Sequence, residues 1–151
     1  MKVKSSVSLV VRHPANSEFI LAVKRPDDDF KLSGLWGLPA SSLHKDESLE
    51  LAASRVGPEK LGLVLPVEKI ISQGTQERSV YLLKMALFET TSPTELFNLP
   101  EILAGKTHYT DWKWAKLSHF EDSAKQGSLC YKLLINPFFS NPKILDKFTS
   151  I

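Results

Sequence analysis

The sequence predicts an α/β domain with a mixed β-sheet and helices packed against it. Three observations predict this fold class: segments rich in β-branched and apolar residues open the chain, one amphipathic helix interrupts them, and further helical segments follow the last strand. The 151 residues match the usual length of one domain, and the sequence contains no repeat, low-complexity tract or internal linker. We therefore expect residues 1–151 to form a single domain.

The first predicted elements are a hairpin and a short buried strand. The apolar segments "VSLVVR" (7–12) and "FILAVKR" (19–25) flank the turn-forming "HPANSE", and this pattern predicts two paired strands. Residues 26–34 are typical of a polar loop. The segment "LWGLP" (35–39) predicts a short buried strand that ends at its proline.

The next element is the clearest helix of the chain. Asp46 is a suitable N-cap, and Glu47 places an acidic side chain in the first turn. Apolar residues then recur at i, i+3, i+4 and i+7, namely Leu49, Ala52, Ala53 and Val56. This stripe predicts that one face of the helix packs on the core.

Strands and then helices complete the chain. Two strands are predicted at 67–73 and 79–89, followed by a loop at 90–101 and a strand at 109–117 that places Trp112 and Trp114 on one face. Ser118 and Glu121 form a capping-box pattern at the start of a short helix. Residues 128–135 predict another helix, which ends before Pro137.

Composition and charge exclude several function classes. The net charge is +2 and no dense Lys/Arg block occurs, so we expect no nucleic-acid partner. The single cysteine, Cys130, excludes an internal disulfide and a cysteine-based metal site. The apolar run that ends at Arg12 is shorter than a signal-peptide core, and no later segment is long enough to span a membrane. These features predict a soluble, cytoplasmic protein without a membrane partner.

The segment 36–63, "WGLPASSLHKDESLELAASRVGPEKLGL", resembles the Nudix box of the Nudix hydrolase family. The family pattern is G-x(5)-E-x(7)-R-E-U-x-E-E-x-G-U, where U is a bulky aliphatic residue. Aligned without a gap over 41–63, the matching residues are Glu47, Arg55, Glu59, Gly62 and Leu63. The flanking "VKRPDDDFKLSGLWGLP" and "DWKWAKLSHFED" also resemble the family's segments on either side of the box.

The resemblance implies a Nudix-type α/β/α sandwich with a mixed β-sheet. It also implies a metal-dependent hydrolase that cleaves a nucleoside diphosphate linked to another group, with Mg²⁺ or Mn²⁺ as cofactor and a nucleotide-like small molecule as partner. In the family, three glutamates after the arginine hold the metal. Here Val56 and Lys60 stand at the outer two positions and only Glu59 remains, so the box is degenerate.

The spacing explains why these replacements weaken the expected activity. Positions 56, 59 and 60 share one face of a helix, where three carboxylates give Mg²⁺ several hard oxygen ligands. Valine supplies no ligand, and lysine brings a positive charge where the cation binds. In addition, Gly57 and Pro58 disfavour a continuous helix. They predict a kink, or a stop at Val56–Gly57 with a new turn that starts at Pro58.

The resemblance assigns roles to individual residues. Glu59 is the surviving catalytic glutamate and metal ligand, and Arg55 is a catalytic residue that orients the glutamates. Glu47 stands at the family's first box glutamate, which supports the loop–helix structure, and is a second candidate metal ligand. The candidate substrate-binding residues are Arg25, Lys60 and Trp112. Further candidate ligands or bases are Glu50, Asp111, His44 and His108.

Several of these residues have a structural interpretation as well. Val56 continues the apolar stripe and is a candidate core residue. Arg55 and Glu59, at i and i+4, are placed for an ordinary helix ion pair worth about 0.2–0.5 kcal/mol. Trp112 alternates with a second tryptophan, which is as typical of a core as of a surface that stacks on a base. The ammonium of Lys60 is suited to contact a phosphate directly, in place of the metal.

Three functional hypotheses follow. The first is a divergent Nudix hydrolase with canonical activity weakened by the two replaced glutamates. The second is a non-catalytic Nudix-fold module that binds a nucleotide-like ligand or a protein partner. The third is an α/β domain of another family in which the box match is accidental.

Overall fold

The computed structural model describes residues 2–24, 36–95 and 109–116, which form a seven-stranded mixed sheet with one α-helix on one face. The strands are β1 (Lys2–Arg12), β2 (Ile20–Lys24), β3 (Trp36–Gly37), β4 (Ala40–Ser42), β5 (Lys69–Glu77), β6 (Tyr81–Thr91) and β7 (Asp111–Ala115), and the helix is α1 (Leu49–Val56). The predicted fold class, α/β with a mixed sheet, is confirmed. The loop predicted at 26–34 and the helices predicted from Ser118 onward lie outside the described residues.

Strand β1 is the centre of the sheet. It pairs in parallel with β6 along its whole length, from Lys2 opposite Tyr81 to Arg12 opposite Thr91. Strand β5 pairs antiparallel with the other edge of β6. The remaining edge of β1 meets β4 and the start of β2, and β2 in turn pairs with β3 and β7. The β1–β2 contact, with Arg12 opposite Ile20, confirms the predicted hairpin.

Both faces of β1 are buried, which explains its nearly continuous apolar run. Val7, Leu9 and Val11 belong to a core cluster on the α1 face, whereas Val10 belongs to a second cluster on the opposite face. The sequence predicted that this strand begins at residue 7, but it begins at Lys2. The polar first residues join the strand because their backbone pairs with β6, a tertiary contact that overrides local propensity.

The amphipathic stripe of α1 is confirmed, but its predicted N-cap is wrong. Ala52, Ala53 and Val56 are buried against the sheet. Ser48, not Asp46, caps the helix, since its Oγ accepts the N–H of Leu51 at 3.1 Å. Asp46 instead occupies a turn at a φ of 61°. Glu47 therefore precedes the helix, and the acid in the first turn is Glu50. No helix within 2–24, 36–95 or 109–116 is long and apolar enough to cross a membrane.

The α-helical pattern ends at Val56, and the chain continues in a single π-helical turn, Gly57–Leu61. Pro58 stands at the start of this turn, where a missing N–H is tolerated. Gly62 closes the turn in the left-handed conformation, φ 68°, and its N–H donates to the carbonyl of Gly57. The break predicted from Gly57 and Pro58 is present, and it takes the form of a widened turn that still carries Glu59 and Lys60.

Of the strand predicted at 35–39, only Trp36–Gly37 is a strand (β3), and a second short strand, β4, follows the predicted end at Pro39. β3 pairs with β2, and β4 pairs with β1 at residues 6–8. Leu38 and Pro39 separate them; Leu38 is buried in the core, and the carbonyl of Pro39 accepts the N–H of Leu9 at 2.9 Å. This crossing places the beginning of the box-like segment directly beside α1.

Candidate ligand-binding site

Arg55, in the last turn of α1, binds Glu47 in the loop before the helix. Its Nε donates to Glu47 Oε2 and its Nη2 donates to Oε1, both at 2.7 Å. Two parallel bonds are the geometry that a guanidinium and a carboxylate favour. The backbone N–H of His44 also donates to Oε1, at 2.9 Å. The Glu47 side chain is only 11% exposed, so this carboxylate fastens the loop to the helix.

The same guanidinium reaches two further elements. Its Nη1 donates to Glu59 Oε2 at 2.6 Å, so the i, i+4 ion pair expected from the sequence is formed. Its Nη2 donates to the carbonyl of Ser42 at the end of β4, at 3.0 Å. Arg55 therefore connects β4, the loop, α1 and the π-helical turn through charged hydrogen bonds.

These contacts shift the ionisation of both partners. The hydrogen bonds from Arg55, and then the bond from the His44 N–H, lower the pKa of Glu47 to about 2. The hydrogen bond with Glu47, followed by the contacts with Glu59, raises the pKa of Arg55 above its ordinary value. At neutral pH the Glu47 carboxylate is consequently ionised and the guanidinium is protonated.

We expect the Glu47–Arg55 pair to make stability depend on pH in the acidic range. Because the pKa of Glu47 is lower in the folded protein, its contribution is complete above the ordinary value of 4.5 and disappears as pH falls towards about 2. Glu47→Gln should therefore lower the urea midpoint at about pH 6, and this deficit should shrink at about pH 3. Glu50→Gln, which changes an exposed carboxylate in the first turn of α1, is the matched control. A Glu47→Gln deficit of equal size at both pH values would contradict this origin of the shift.

The residues at the family's metal-ligand positions do not fit a Mg²⁺ site. Val56 is 0% exposed and belongs to the core cluster beneath α1. Lys60 carries a positive charge, and one carboxylate oxygen of Glu59 already accepts a hydrogen bond from Arg55. Within the described residues, no group of three or more His, Cys, Asp or Glu side chains is placed to hold a metal ion. This donor set lacks the several free oxygens that Mg²⁺ requires.

The structure brings some of the predicted site residues together and leaves others apart. Glu47, Arg55 and Glu59 form one cluster, and Lys60 follows Glu59 in the π-helical turn, where it is partly buried. Arg25 and His108 lie outside the described residues. Glu50, Asp111 and His44 are exposed.

Trp112 lies on β7, opposite Val23 of β2. It packs against the core cluster on the α1 face, and its ring meets that of Trp114 edge-on, with the ring centroids 6.4 Å apart. The prediction that the two tryptophans share a face is confirmed. Their partial burial agrees with the structural interpretation of the pair, and Trp112 remains a proposed, untested ligand contact.

Sequence reasoning missed one residue that shapes this region. The hydroxyl of Tyr109 accepts the backbone N–H of Ala40 at 3.0 Å, and the residue is only 7% exposed. Tyr109 therefore fixes the position of Ala40, the first residue of β4, through this hydrogen bond. The two residues are 69 positions apart, and nothing in the local pattern around a single tyrosine indicates such a contact.

No protein-family model matches the sequence, and no curated protein matches it. Solved structures do match the fold. The MutT protein from Methanosarcina mazei Go1 is 20% identical, with a TM-score of 0.65 over 80% of this chain and 82% of that one. The ORF135 protein of E. coli is also 20% identical, with a TM-score of 0.65 over 89% and 87% of the two chains.

A third similar structure contains a ligand. The NUDIX domain of Shewanella oneidensis NrtR, in complex with ADP ribose, is 22% identical, with a TM-score of 0.59 over 89% of this chain and 82% of that chain. At these identities, the similarity concerns the arrangement of the strands and the helix.

Proposed function

This chain has the Nudix fold, and from that premise we propose that it binds a nucleotide-like ligand with a diphosphate and does not hydrolyse it by the family's metal mechanism. The observation that carries the proposal is the donor set after Arg55. Of its three positions, one is an apolar residue sealed in the core, one is a lysine, and one is a glutamate already bonded to Arg55.

Lys60 supports the ligand half of the proposal. It stands in the π-helical turn directly after Glu59, at a position where the family places a metal-binding carboxylate. An ammonium there neutralises phosphate charge as a point charge and needs no cation. The ADP-ribose bound by the Shewanella oneidensis NUDIX domain supports a nucleotide-like ligand for this fold. Arg25 and Trp112 are the further proposed contacts, for the phosphates and the base.

Metal-dependent hydrolysis is the second candidate function, because three charged residues that match the family's box are in contact with one another. Glu47, Arg55 and Glu59 are joined by short charged hydrogen bonds. A structurally similar protein from Burkholderia pseudomallei is described as a MutT NUDIX hydrolase, with 16% identity and a TM-score of 0.59. For this candidate, Glu59 would be the residue that holds a Mg²⁺ or Mn²⁺ ion, which would neutralise phosphate charge and activate a water.

The decisive experiment measures ADP-ribose binding and ADP-ribose cleavage on the same protein. We expect calorimetry to detect binding without added metal, and Lys60→Met to weaken it about tenfold, the effect of one charged hydrogen bond. Lys69→Met is the matched control, since the Lys69 side chain is 70% exposed on β5. Cleavage is measured as the release of AMP in the presence of Mg²⁺ and, separately, of Mn²⁺.

Each result decides between the candidates. Metal-dependent AMP release that is lost in Glu59→Gln would establish the hydrolase and overturn our proposal. Unchanged or tighter ADP-ribose binding by Lys60→Met would remove Lys60 from the site. Metal-free binding without cleavage, weakened only by Lys60→Met, is the expected outcome.

A further inference from the structure

A cavity of about 400 Å³ lies between the sheet and the loop that precedes α1. Its floor is formed by β1, β5 and β6, and its wall by Leu43, Ser48 and Leu49. This volume is in the range of small-molecule sites in proteins. It lies at the beginning of α1, whereas Glu59 and Lys60 lie beyond the end of that helix.

A row of three polar side chains crosses the floor of this cavity. Ser5 of β1 is directly opposite Lys84 of β6, and Lys84 is directly opposite Thr75 of β5. Adjacent strands are about 5 Å apart, and directly opposite residues on paired strands project to the same face. The Cα atoms of Ser5 and Thr75 therefore lie roughly 10 Å apart with Lys84 between them, and all three residues line the cavity.

The next part of the floor is less polar. Ala86 follows Lys84 by two positions on the same face of β6 and is buried, with Gln73 opposite it on β5. Leu43 and Leu49, both partly buried, line the cavity from the loop and the helix, and the backbone N–H of Leu43 donates to the Ser5 carbonyl at 3.0 Å, beside the polar row. The cavity thus combines one cationic side chain with the apolar side chains of Ala86, Leu43 and Leu49.

The acidic residue of the cavity wall, Glu47, has hydrogen-bond partners of its own. Glu47 also lines the cavity, but Arg55 and the His44 N–H occupy its carboxylate oxygens. Of the described residues that line the cavity, Lys84 alone is basic. An anion that enters therefore meets an ammonium and two hydroxyl donors in one row.

We propose that this cavity binds a small organic anion, whose carboxylate or phosphate group contacts Lys84, Ser5 and Thr75 and whose apolar part packs on Ala86, Leu43 and Leu49. This site is separate from the diphosphate position proposed above. Hydrogen bonds from an ammonium and from hydroxyls to an ionised oxygen suit either anion.

The test uses ¹H–¹⁵N correlation spectra of the full chain titrated separately with benzoate, phenyl phosphate and neutral benzyl alcohol. We expect saturable chemical-shift changes of the Ser5, Thr75 and Lys84 amides with at least one anion. The anion with the lower Kd identifies the preferred head group. Lys84→Met should raise the Kd of that probe about tenfold. Lys4→Met removes the same charge from the opposite face of β1, next to Ser5, and should leave the Kd unchanged.

The outcomes separate this proposal from the previous one. An excess of ADP-ribose should not displace the bound anion, and failure of ADP-ribose to bind at all leaves the anion result standing. The proposal is overturned if neither anion shifts these amides, if benzyl alcohol binds as well as the anions, or if Lys84→Met binds the probe like the wild type. Displacement of the bound anion by ADP-ribose would contradict the proposal that the two sites are separate.

Discussion

Val56→Glu is expected to destabilise the protein by about 4 kcal/mol or more, instead of restoring a metal ligand. Val56 is 0% exposed and packs in the cluster that includes Ala52 and Leu61. A glutamate at this position loses the apolar contact and brings a carboxylate into a fully buried apolar cluster. The double variant Val56→Glu, Lys60→Glu should consequently fail to bind Mg²⁺ tightly, although it restores the family's three glutamates.

Urea unfolding of Val56→Glu and Val56→Ala measures this effect. Val56→Ala is the matched control, because it removes the same packing without adding a charge; we expect a loss of about 2 kcal/mol. Calorimetric titration of the double variant with Mg²⁺ completes the test. If Val56→Glu were as stable as Val56→Ala and the double variant bound Mg²⁺ at micromolar concentration, the end of α1 would be able to turn outward. The hydrolase hypothesis would then regain its metal site.

Gly57→Ala is expected to lower the free energy of unfolding by about 3 kcal/mol. Gly57 has helical angles, φ −58° and ψ −60°, where alanine normally stabilises by about 1 kcal/mol. However, a Cβ at this position would lie 2.3 Å from the carbonyl oxygen of Leu63. The obstacle is backbone, and it cannot move freely because the Leu63 N–H donates to the carbonyl of Gly57 at 3.1 Å.

Thermal and urea unfolding of Gly57→Ala test this expectation. Ser54→Ala, at an exposed position of α1, is the control for helix propensity and should change stability by no more than about 0.5 kcal/mol. A Gly57→Ala variant as stable as the wild type would mean that the chain after the π-helical turn shifts easily. The close packing of Leu63 against Gly57 would then contribute nothing to the free energy of unfolding.

Local patterns predicted most of the described fold. The strands around residues 7–12, 19–25 and 79–89 and the buried stripe of α1 follow from apolar periodicity, since burial of these residues is the main driving force. The break at Gly57–Pro58 follows from backbone sterics. The extension of β1 to Lys2 and the strand β4 after Pro39 depend on pairing with distant strands, and no local propensity contains that information.

The candidate site was predictable only where it depends on short spacing. Arg55 and Glu59 are four residues apart, and their ion pair follows from helix geometry. The bond from Arg55 to Glu47 spans the helix start, whose N-cap the sequence placed at Asp46 instead of Ser48. The row of Ser5, Lys84 and Thr75 depends on strand register alone.

The parallel pairing of β1 with β6 has a consequence for the biosynthesis of this protein. Ser8 and Met85, in contact across these strands, are 77 residues apart. At a synthesis rate of roughly 5–20 residues per second, roughly 4–15 s pass between the synthesis of β1 and that of its partner strand β6. During that interval the edge of β1 that pairs with β6 in the final fold has no strand to pair with. Such a segment is the kind that nascent-chain chaperones hold, and its long sequence separation makes the pairing a slow step of folding.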